Sequence, residues 1–246
     1  MAEPALRIAI VGAESTGKTA LAQALAGRIA ELTGLRCTWV GEHLRAWCDA
    51  QGRTPRPDEQ AGIAAQQQAL IDAAAARHDV VVCDTTPLMT AVYSEWIFGD
   101  RSLHAGALAQ QRRCDLTLLM ALDIDWQPDG LQRDGPQVRV PVDNCIRSLL
   151  IGQGLPWALV TGQDASRLES ALDAVAPLLR QRLAAAPASG LFSRLAARDA
   201  AQPAWRWACD SCDAPECEHL LLRQRGVESS QSDEKTAAAA SDKPKN

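Results

Sequence analysis

The fold is decided by the stretch Gly12-Ala13-Glu14-Ser15-Thr16-Gly17-Lys18-Thr19, which fits the pattern G-x-x-x-x-G-K-[ST]. The apolar run Arg7–Val11 before it is typical of a buried strand, and Ala20–Ala26 after it consists mostly of strong helix formers. A loop between a strand and a helix can point its backbone N–H groups at phosphates, and the helix N-terminus adds a partial positive charge. The stretch therefore predicts a binding site for a nucleoside triphosphate.

Two side chains of this loop predict how the nucleotide is held. We expect Lys18 to reach the terminal phosphates and the Thr19 hydroxyl to ligate Mg²⁺. A second metal ligand is predicted at Asp84, which directly follows the apolar run Val80–Cys83. The alternative for Asp84 is an ordinary carboxylate in the turn after a strand. The sequence thus predicts a nucleoside triphosphate that is bound together with Mg²⁺. These residues alone do not distinguish a kinase, an ATPase and a GTPase.

Short apolar runs alternate with helical stretches between residues 7 and 183. The predicted strands are Arg7–Val11, Cys37–Val40, Val80–Cys83, Leu116–Ala121 and Ala158–Thr161. The predicted helices are Lys18–Leu32, Glu42–Gln51, Asp58–Arg77, Pro87–Phe98, Leu103–Arg113 and Ala165–Ala185. Alternation of this kind predicts an α/β fold, with a parallel sheet covered by helices on both faces.

Composition divides the chain further. We expect an ATP-binding domain over residues 1–183, a linker over 184–204, a small cysteine-rich knot over 205–222 and a disordered tail over 223–246. The linker contains Ala, Pro and Arg, and the tail consists mainly of Ser, Asp, Glu, Lys and Ala. A segment with so little apolar surface to bury stays disordered.

Charge and hydropathy exclude several classes of protein. The formal net charge is −5 at pH 7, which argues against a general nucleic-acid surface. No apolar run approaches the ~18 residues that a membrane span requires. The N-terminal residues lack the basic and apolar regions of a signal peptide, so we expect a cytoplasmic protein.

A candidate catalytic carboxylate follows the second predicted strand. Glu42 lies there, and in a parallel sheet the carboxyl ends of the strands converge on the ligand. A carboxylate at this place can accept a proton from an attacking hydroxyl group, or orient it. The alternative is a solvated glutamate in the first turn of a helix. Arg45, one turn later, is a candidate substrate contact or a simple salt-bridge residue.

The segment Trp126–Asn144 breaks the alternation, because it is rich in Pro, Gly and Asp. It predicts a mobile loop or lid. An arginine in a lid can close on phosphates and stabilise the charge of a transferred phosphoryl group. Arg133, Arg139 and Arg147 fit that role or the role of surface charges, and we take Arg133 as the catalytic candidate.

Several of these residues together resemble a known family. The loop Gly-x-Glu-Ser-x-Gly-Lys-Thr, Glu42 with Arg45, Asp84-Thr85 and Trp126-x-x-Asp129-Gly130-Leu131 occur in this order and at similar spacings in the ribosylnicotinamide-kinase-type ATPase domain of NadR proteins. The resemblance covers roughly residues 7–183. It implies a three-layer, kinase-like P-loop NTPase fold. The reaction it implies is transfer of the ATP γ-phosphoryl group to the ribose 5′-hydroxyl of nicotinamide riboside.

The resemblance also implies roles for single residues. Glu42 would lie beside the nucleoside, Asp84 beside the metal and the hydroxyl, and Asp129 and Arg133 in the lid, with Asp129 as a substrate contact. Members with two activities tend to carry Trp-Glu-Tyr where this chain has Gly-Glu-His around Glu42, so an aromatic platform is missing at that place. The motif His-x-Gly-His of their nucleotidyl-transfer half is absent from the sequence, and we expect the kinase half alone.

A second cluster of chemically active residues lies near the C-terminus. Cys209-x2-Cys212-x4-Cys217-x-His219 offers four ligands within eleven residues, and Cys₃His is an accepted set for structural Zn²⁺. Redox or iron–sulfur chemistry and unligated cysteines are the alternatives. The acidic residues around the cluster disfavour nucleic acid as its partner. A knot of this kind can dock another protein.

Two functions from different classes follow. The first is a small-molecule kinase that acts on a nucleoside. The second is a regulatory module that binds and slowly hydrolyses ATP and docks a partner protein through the zinc knot. A nucleic-acid-binding ATPase fits poorly with the net charge.

Overall fold

A five-stranded sheet forms the centre of the computed structural model, which describes residues 3–127 and 135–184. The strands lie in the order β2-β3-β1-β4-β5, and all neighbours are parallel. Their bounds are Leu6–Val11 for β1, Cys37–Val40 for β2, Val80–Asp84 for β3, Leu116–Met120 for β4 and Trp157–Val160 for β5. The predicted parallel sheet is confirmed, and each predicted strand agrees with the observed one to within one residue at either end.

Seven α-helices connect or follow these strands in the described residues. Their bounds are Lys18–Thr33 for α1, His43–Gln51 for α2, Gln60–Ala75 for α3, Pro87–Phe98 for α4, His104–Gln111 for α5, Arg139–Gly152 for α6 and Asp164–Ala184 for α7. Short 3-10 turns at Pro57–Glu59 and Pro136–Val138 precede α3 and α6.

The helices cover both faces of the sheet. Alternate residues of each strand point to opposite faces, so the apolar side chains on each face need a layer of helices to bury them. Ile8 and Ile10 of β1 pack with Leu25 of α1 and with Leu172 and Val175 of α7. On the other face, Val11 and Leu119 pack with residues of α4 and α6: Leu88, Val92, Val142 and Ile146. A smaller cluster joins α3 to β3 through Ile71, Val81 and Cys83. The result is the three-layer α/β fold that the sequence predicts.

The predicted lid is wrong in its second half. Residues 139–144 belong to α6, and residues 136–138 form the 3-10 turn before it. The prediction failed because Pro136 and Pro141 look like helix breakers. Pro141 lies in the first turn of α6, where the missing N–H group would have had no partner within the helix. Residues 128–134 lie outside the described residues.

No helix in the part of the chain that the structure describes is long and apolar enough to cross a membrane.

Candidate active site

The phosphate loop runs from the end of β1 to the start of α1 and contains three residues with positive φ. These are Gly12 at 154°, Ser15 at 56° and Gly17 at 77°. A Cβ atom added to Gly12 would lie 2.9 Å from the Cβ of Met120, at the end of β4. Thr16 donates a hydrogen bond of 2.8 Å from Oγ1 to the carbonyl oxygen of Ala13. The loop is therefore closely packed, and a glycine is required at its first position.

Substitution of Gly12 by Ala is expected to destabilise the protein by about 1–3 kcal/mol and to weaken ATP binding at least about tenfold, because the backbone and Met120 must both shift. Gly27 of α1 provides the matched control, since no atom lies within 4 Å of a Cβ added there. Gly27→Ala should stabilise the helix by about 0.5–1 kcal/mol. Thermal melts and ATP titrations of both variants would measure these effects, and equal behaviour would contradict the close packing at Gly12.

Lys18 lies over the mouth of this loop. Its ammonium group donates to the carbonyl oxygens of Gly12 and Ala13, at 3.0 and 2.9 Å. The loop thus positions the lysine charge beside its own backbone, where phosphate oxygens would bind.

Asp84 brings a buried carboxylate to the end of β3, next to the start of α1. The Thr19 hydroxyl donates to Asp84 Oδ2 at 2.6 Å. Asp84 is only 1% exposed, and its other oxygen, Oδ1, is buried without a hydrogen-bond partner among the described residues. Burial raises the pKa of Asp84, whereas the Thr19 hydrogen bond and the charge of Lys18 act in the opposite direction.

This pair of oxygen donors fits Mg²⁺. Carboxylate and hydroxyl oxygens are ligands that Mg²⁺ prefers, and the ion usually takes one or two protein ligands, with phosphates and water completing its shell. The buried Oδ1 of Asp84, which meets no donor in residues 3–127 or 135–184, is an atom that such an ion would satisfy. Thr19 and Asp84 are accordingly the residues that would hold the metal.

The turn after β3 fixes the direction of the Asp84 side chain. Thr85 adopts a φ of 69°, a strained value for a β-branched residue, and its N–H donates to the carbonyl oxygen of Ile10 at 3.1 Å. Thr86 donates to Gln111 at 2.6 Å, and Gln111 donates to Thr117 at 2.8 Å, all in the buried interior. This chain of hydrogen bonds holds the strained turn in place.

Glu42 lies between β2 and α2, and its side chain is 21% exposed. Burial raises the pKa of this carboxyl group and the nearby charge of Asp84 adds to the rise, while Lys18 and Arg45 oppose it. The Arg45 Nε atom lies 3.9 Å from Glu42 Oε2. The charges of Lys18 and Asp84 therefore act on the pKa of Glu42 in opposite directions.

Gln67 of α3 holds the backbone on both sides of Glu42. Its Oε1 accepts from the N–H of His43 at 2.7 Å, and its Nε2 donates to the carbonyl oxygen of Gly41 at 3.3 Å. Gln67 is buried, so both bonds are shielded from water. The position of Glu42 depends on a residue that lies 25 positions away along the chain.

A cavity of about 570 Å³ is lined by the phosphate loop, by Glu42 and by residues of α4. Residues 14–20 of the phosphate loop, Glu42 and Arg45 line one side of it. Side chains of α4 line another side: Met89, Tyr93, Ile97 and Phe98. Leu44, Cys48, Thr54, Pro55 and Gln60 complete the lining. The cavity is thus bounded by charged groups at the phosphate loop and by apolar and aromatic groups on α4.

Arg167 of α7 binds the backbone of the phosphate loop. It is 4% exposed and donates to the carbonyl oxygen of Thr16 at 2.9 Å and to that of Gly162 at 2.7 Å. Its Nη2 also pairs with the carboxylate of Asp123, which follows β4. Ser15 also contacts the segment after β4, because its Oγ accepts a hydrogen bond from the N–H of Gln127 at 2.8 Å. One buried arginine therefore connects the loop to the segments after β4 and β5.

The sequence matches a known family over residues 7–167, and that family is described as an AAA domain. The chain belongs to the AAA domain family. The match includes the phosphate loop, Glu42 and Asp84.

Two solved structures share the fold of this AAA domain. A NadR protein in complex with NR is 21% identical, with a TM-score of 0.57, over 70% of this chain and 51% of that chain. A NadR protein in complex with NAD and AMP-PNP is 20% identical, with a TM-score of 0.57, over 72% of this chain and 50% of that chain. This chain spans about half the length of either protein. A search of curated sequences found no match. The kinase-like P-loop fold that the resemblance implies is confirmed.

The structure brings several of the predicted site residues of this AAA domain together and leaves others undescribed. Lys18, Thr19, Glu42, Arg45 and Asp84 lie around the mouth of the phosphate loop. The lid candidates Asp129 and Arg133, and the proposed zinc ligands Cys209, Cys212, Cys217 and His219, lie outside the described residues. Within residues 3–127 and 135–184, no group of three or more His, Cys, Asp or Glu side chains could hold a metal ion.

The sequence did not predict that side chains of α4 line the cavity of the AAA domain. The prediction noted that the chain lacks an aromatic residue next to Glu42, but Tyr93 and Phe98 line the same cavity from another element. Gln67 and Arg167 were missed as well, because each acts on residues far away in the sequence. The sequence does show one signal for α4: it is apolar around its whole circumference, which is typical of a helix between a sheet and another layer.

Proposed function

We propose that this chain is a Mg²⁺-dependent kinase that transfers the γ-phosphoryl group of ATP to a hydroxyl group of a nucleoside. The observation that carries this proposal is the cavity that Glu42 and Lys18 share. Glu42 lines this cavity together with the phosphate-loop lysine, which supports a role in accepting the proton of an acceptor hydroxyl close to the terminal phosphate.

Each residue of the site has its own role in the proposed phosphoryl transfer. The acceptor oxygen forms a bond to the γ-phosphorus, the bond between that phosphorus and the bridging oxygen breaks, and ADP leaves. Glu42 accepts the proton of the acceptor hydroxyl. Lys18 and the loop N–H groups stabilise the negative charge on the phosphates. The Mg²⁺ that Thr19 and Asp84 would hold supplies further neutralisation of that charge.

The size and lining of the cavity support a nucleoside as acceptor. A volume of about 570 Å³ lies within the range that small-molecule sites occupy. Tyr93 and Phe98 offer aromatic surfaces to a planar base, and the charged residues at the loop support the reaction of a ribose hydroxyl at that side of the cavity.

Nicotinamide riboside is the first acceptor to test. The resemblance of the motifs to the kinase domain of NadR proteins supports it, as does the NadR structure that holds NR. Its pyridine ring is planar, and in this chain Tyr93 and Phe98 would take the place of the aromatic residues absent beside Glu42.

Tyr93→Leu is expected to raise the KM for the nucleoside by about tenfold or more and to leave the KM for ATP unchanged, because stacking of a base on an aromatic ring contributes ~1–3 kcal/mol. Trp96→Leu on the same helix is the matched control, since Trp96 is 47% exposed and does not line the cavity. Steady-state kinetics with each substrate varied in turn would measure both values. Equal effects of the two substitutions would contradict the role of Tyr93.

The experiment that tests the proposal is a screen of nucleosides with ATP and Mg²⁺, read by mass spectrometry for a product that is heavier by one phosphoryl group. Lys18→Ala serves as the control for the site. A phosphorylated nucleoside from the wild-type protein alone supports the kinase and names its acceptor. ATP binding without any such product would favour the regulatory module, with the Cys209–His219 cluster as its proposed zinc knot.

A further inference from the structure

Gln60, the first residue of α3, is a buried polar side chain in the wall of the cavity. It is 4% exposed and lines the cavity, as Tyr93 and Phe98 of α4 do. Within residues 3–127 and 135–184, its side-chain amide makes no hydrogen bond. Burial of an amide without a partner is unfavourable, because the group has lost its hydrogen bonds to water. The amide of Gln60 is therefore available to a molecule that enters the cavity.

Two other glutamines in the described part of the chain are buried to a similar degree, and each uses both ends of its amide. Gln67 accepts from one backbone N–H group and donates to one backbone carbonyl oxygen, at 2.7 and 3.3 Å. Gln111 accepts from one threonine hydroxyl group and donates to another, at 2.6 and 2.8 Å. Gln60 lies two turns before Gln67 on the same face of α3, but it lines the cavity instead of binding backbone groups. Of these three side chains, Gln60 is the one that a ligand would satisfy.

The segment before α3 holds the backbone of Gln60 in place. The N–H of Gln60 donates to the carbonyl oxygen of Pro57, in the 3-10 turn before the helix. The carboxylate of Glu59 accepts from both terminal nitrogens of Arg53, at 2.6 and 2.7 Å, and from the N–H of Arg56 at 2.7 Å. A residue whose backbone is held in this way loses less conformational freedom when a ligand binds. The fold thus fixes the base of the Gln60 side chain at the cavity wall.

The chemistry of a primary amide defines the partner of Gln60. In either orientation, the side-chain amide offers a carbonyl oxygen beside an N–H group. Its full complement is another amide edge, in which an N–H donor lies next to a carbonyl acceptor. A carboxylate or a phosphate offers acceptors alone and would leave the oxygen of Gln60 without a donor. The ligand group that fits Gln60 is therefore neutral and carries both a donor and an acceptor.

We propose that Gln60 determines acceptor specificity by pairing with an amide edge on the base of the nucleoside. The inference rests on the proposed function, since that function assigns the nucleoside to this cavity. Tyr93 and Phe98 offer their rings to the faces of a planar base, and Gln60 binds its edge. Two kinds of base have the required edge: a pyridine with an exocyclic carboxamide, as in nicotinamide riboside, and a pyrimidine with a ring amide, as in uridine.

Binding of matched nucleosides to the full chain tests this inference separately from phosphoryl transfer. Isothermal titration, in the presence of non-hydrolysable Mg-AMP-PNP, would compare nicotinamide riboside, nicotinic acid riboside and uridine. Nicotinic acid riboside has nearly the same shape as nicotinamide riboside, but a carboxylate replaces the carboxamide. Gln60→Leu should weaken binding of the nucleoside with the matching amide edge by about 10- to 100-fold, the range for two neutral hydrogen bonds in a buried site. Its affinity for nicotinic acid riboside should change much less.

The pattern of losses identifies the base. A loss for nicotinamide riboside assigns Gln60 to the exocyclic carboxamide, and a loss for uridine assigns it to the ring amide. Either result supports the inference, because nicotinic acid riboside lacks the amide edge and keeps its affinity.

A second variant tests the same contact without a change of shape. Gln60→Glu replaces the N–H group by a second oxygen, so it keeps the size of the side chain and removes its donor. It should weaken binding of the amide-bearing nucleoside about tenfold. It should bind nicotinic acid riboside more weakly than Gln60→Leu does, because two carboxylates repel each other. This measurement decides the question even if the Leu variant fails to fold.

Gln66→Leu is the matched control for both variants. Gln66 is an exposed residue of α3 and does not line the cavity. Its variant should keep the affinity of the wild type for each nucleoside.

Equal affinity of the wild type and both Gln60 variants for each of the three nucleosides would overturn the inference. An equal loss for all three nucleosides in Gln60→Leu would also overturn it, since Gln60 would then serve only the shape of the cavity. Binding that depends on Gln60 without phosphoryl transfer would refute the proposed function and leave the inference intact, whereas transfer that does not depend on Gln60 would do the reverse. If the wild type binds none of the nucleosides, both fail.

Discussion

Asp84→Asn is expected to lower kcat on the order of 10³-fold, because it removes the carboxylate that would hold the metal against the phosphates. The substitution is nearly isosteric, and the amide oxygen of Asn can still accept the hydrogen bond from Thr19. We therefore expect loss of activity without loss of the fold. The measurement is the rate of phosphorylated product at saturating ATP, over a range of Mg²⁺ concentrations.

Asp115→Asn is the matched control for this substitution. Asp115 precedes β4 and accepts a hydrogen bond from the N–H of Arg7 at 2.7 Å, in an exposed environment. It does not line the main cavity. A similar fall in kcat for both variants, or a rate for Asp84→Asn within tenfold of the wild type, would contradict the proposed metal site.

The stability of Asp84→Asn should differ from that of the wild type in a direction set by the pKa shift. Burial raises the pKa of Asp84 in the folded state, so the folded protein binds this proton more tightly than the unfolded chain does. The contribution of Asp84 to stability therefore falls as pH rises from its unfolded-state pKa through its raised folded-state pKa. We expect the Asn variant to gain in Tm relative to the wild type over that pH interval, and to keep the gain at neutral pH.

Glu42→Gln is expected to lower kcat at least about 10²-fold and to leave ATP binding intact, because the amide cannot accept the proton of the acceptor hydroxyl. The raised pKa of Glu42 adds a pH signature. In the wild type, kcat should rise with pH through an apparent pKa above that of an ordinary glutamate, since only the ionised form is a base. This rise should be absent from the residual activity of the Gln variant.

Glu31→Gln provides the control for Glu42, because Glu31 is an exposed residue of α1 that pairs with Arg28. Its variant should keep the kcat and the pH profile of the wild type. Unchanged turnover of Glu42→Gln would rule out Glu42 as the base and leave it a structural role beside Arg45.

The sequence was sufficient to predict the elements whose signals are local. The strand, loop and helix around residues 7–26 follow from one motif and its flanking apolar runs. The strand β3 with Asp84 at its end follows from an uninterrupted apolar run, as expected for a strand covered on both faces. The order of the strands and of six of the seven described α-helices also follows from local signals, whereas α6 was not predicted as a helix.

Features that depend on contacts between distant residues could not be predicted in this way. Periodicity marks α4 as buried but does not show that Tyr93 and Phe98 face the cavity. Gln67 and Arg167 have no motif, since each binds backbone groups of other segments. Arg139 is one of three candidate arginines, of which the sequence favours Arg133, and no sequence pattern shows that Arg139 is buried.

The most direct test of the proposed kinase activity is the stoichiometry of the reaction with nicotinamide riboside. ADP, inorganic phosphate and phosphorylated nucleoside would be quantified in one reaction mixture, with and without the nucleoside. A kinase built on Lys18, Asp84 and Glu42 predicts that ADP forms only when the nucleoside is present, in equal amount to its phosphorylated product. ADP and inorganic phosphate formed at the same rate with or without the nucleoside would contradict the proposed kinase activity and identify an ATPase.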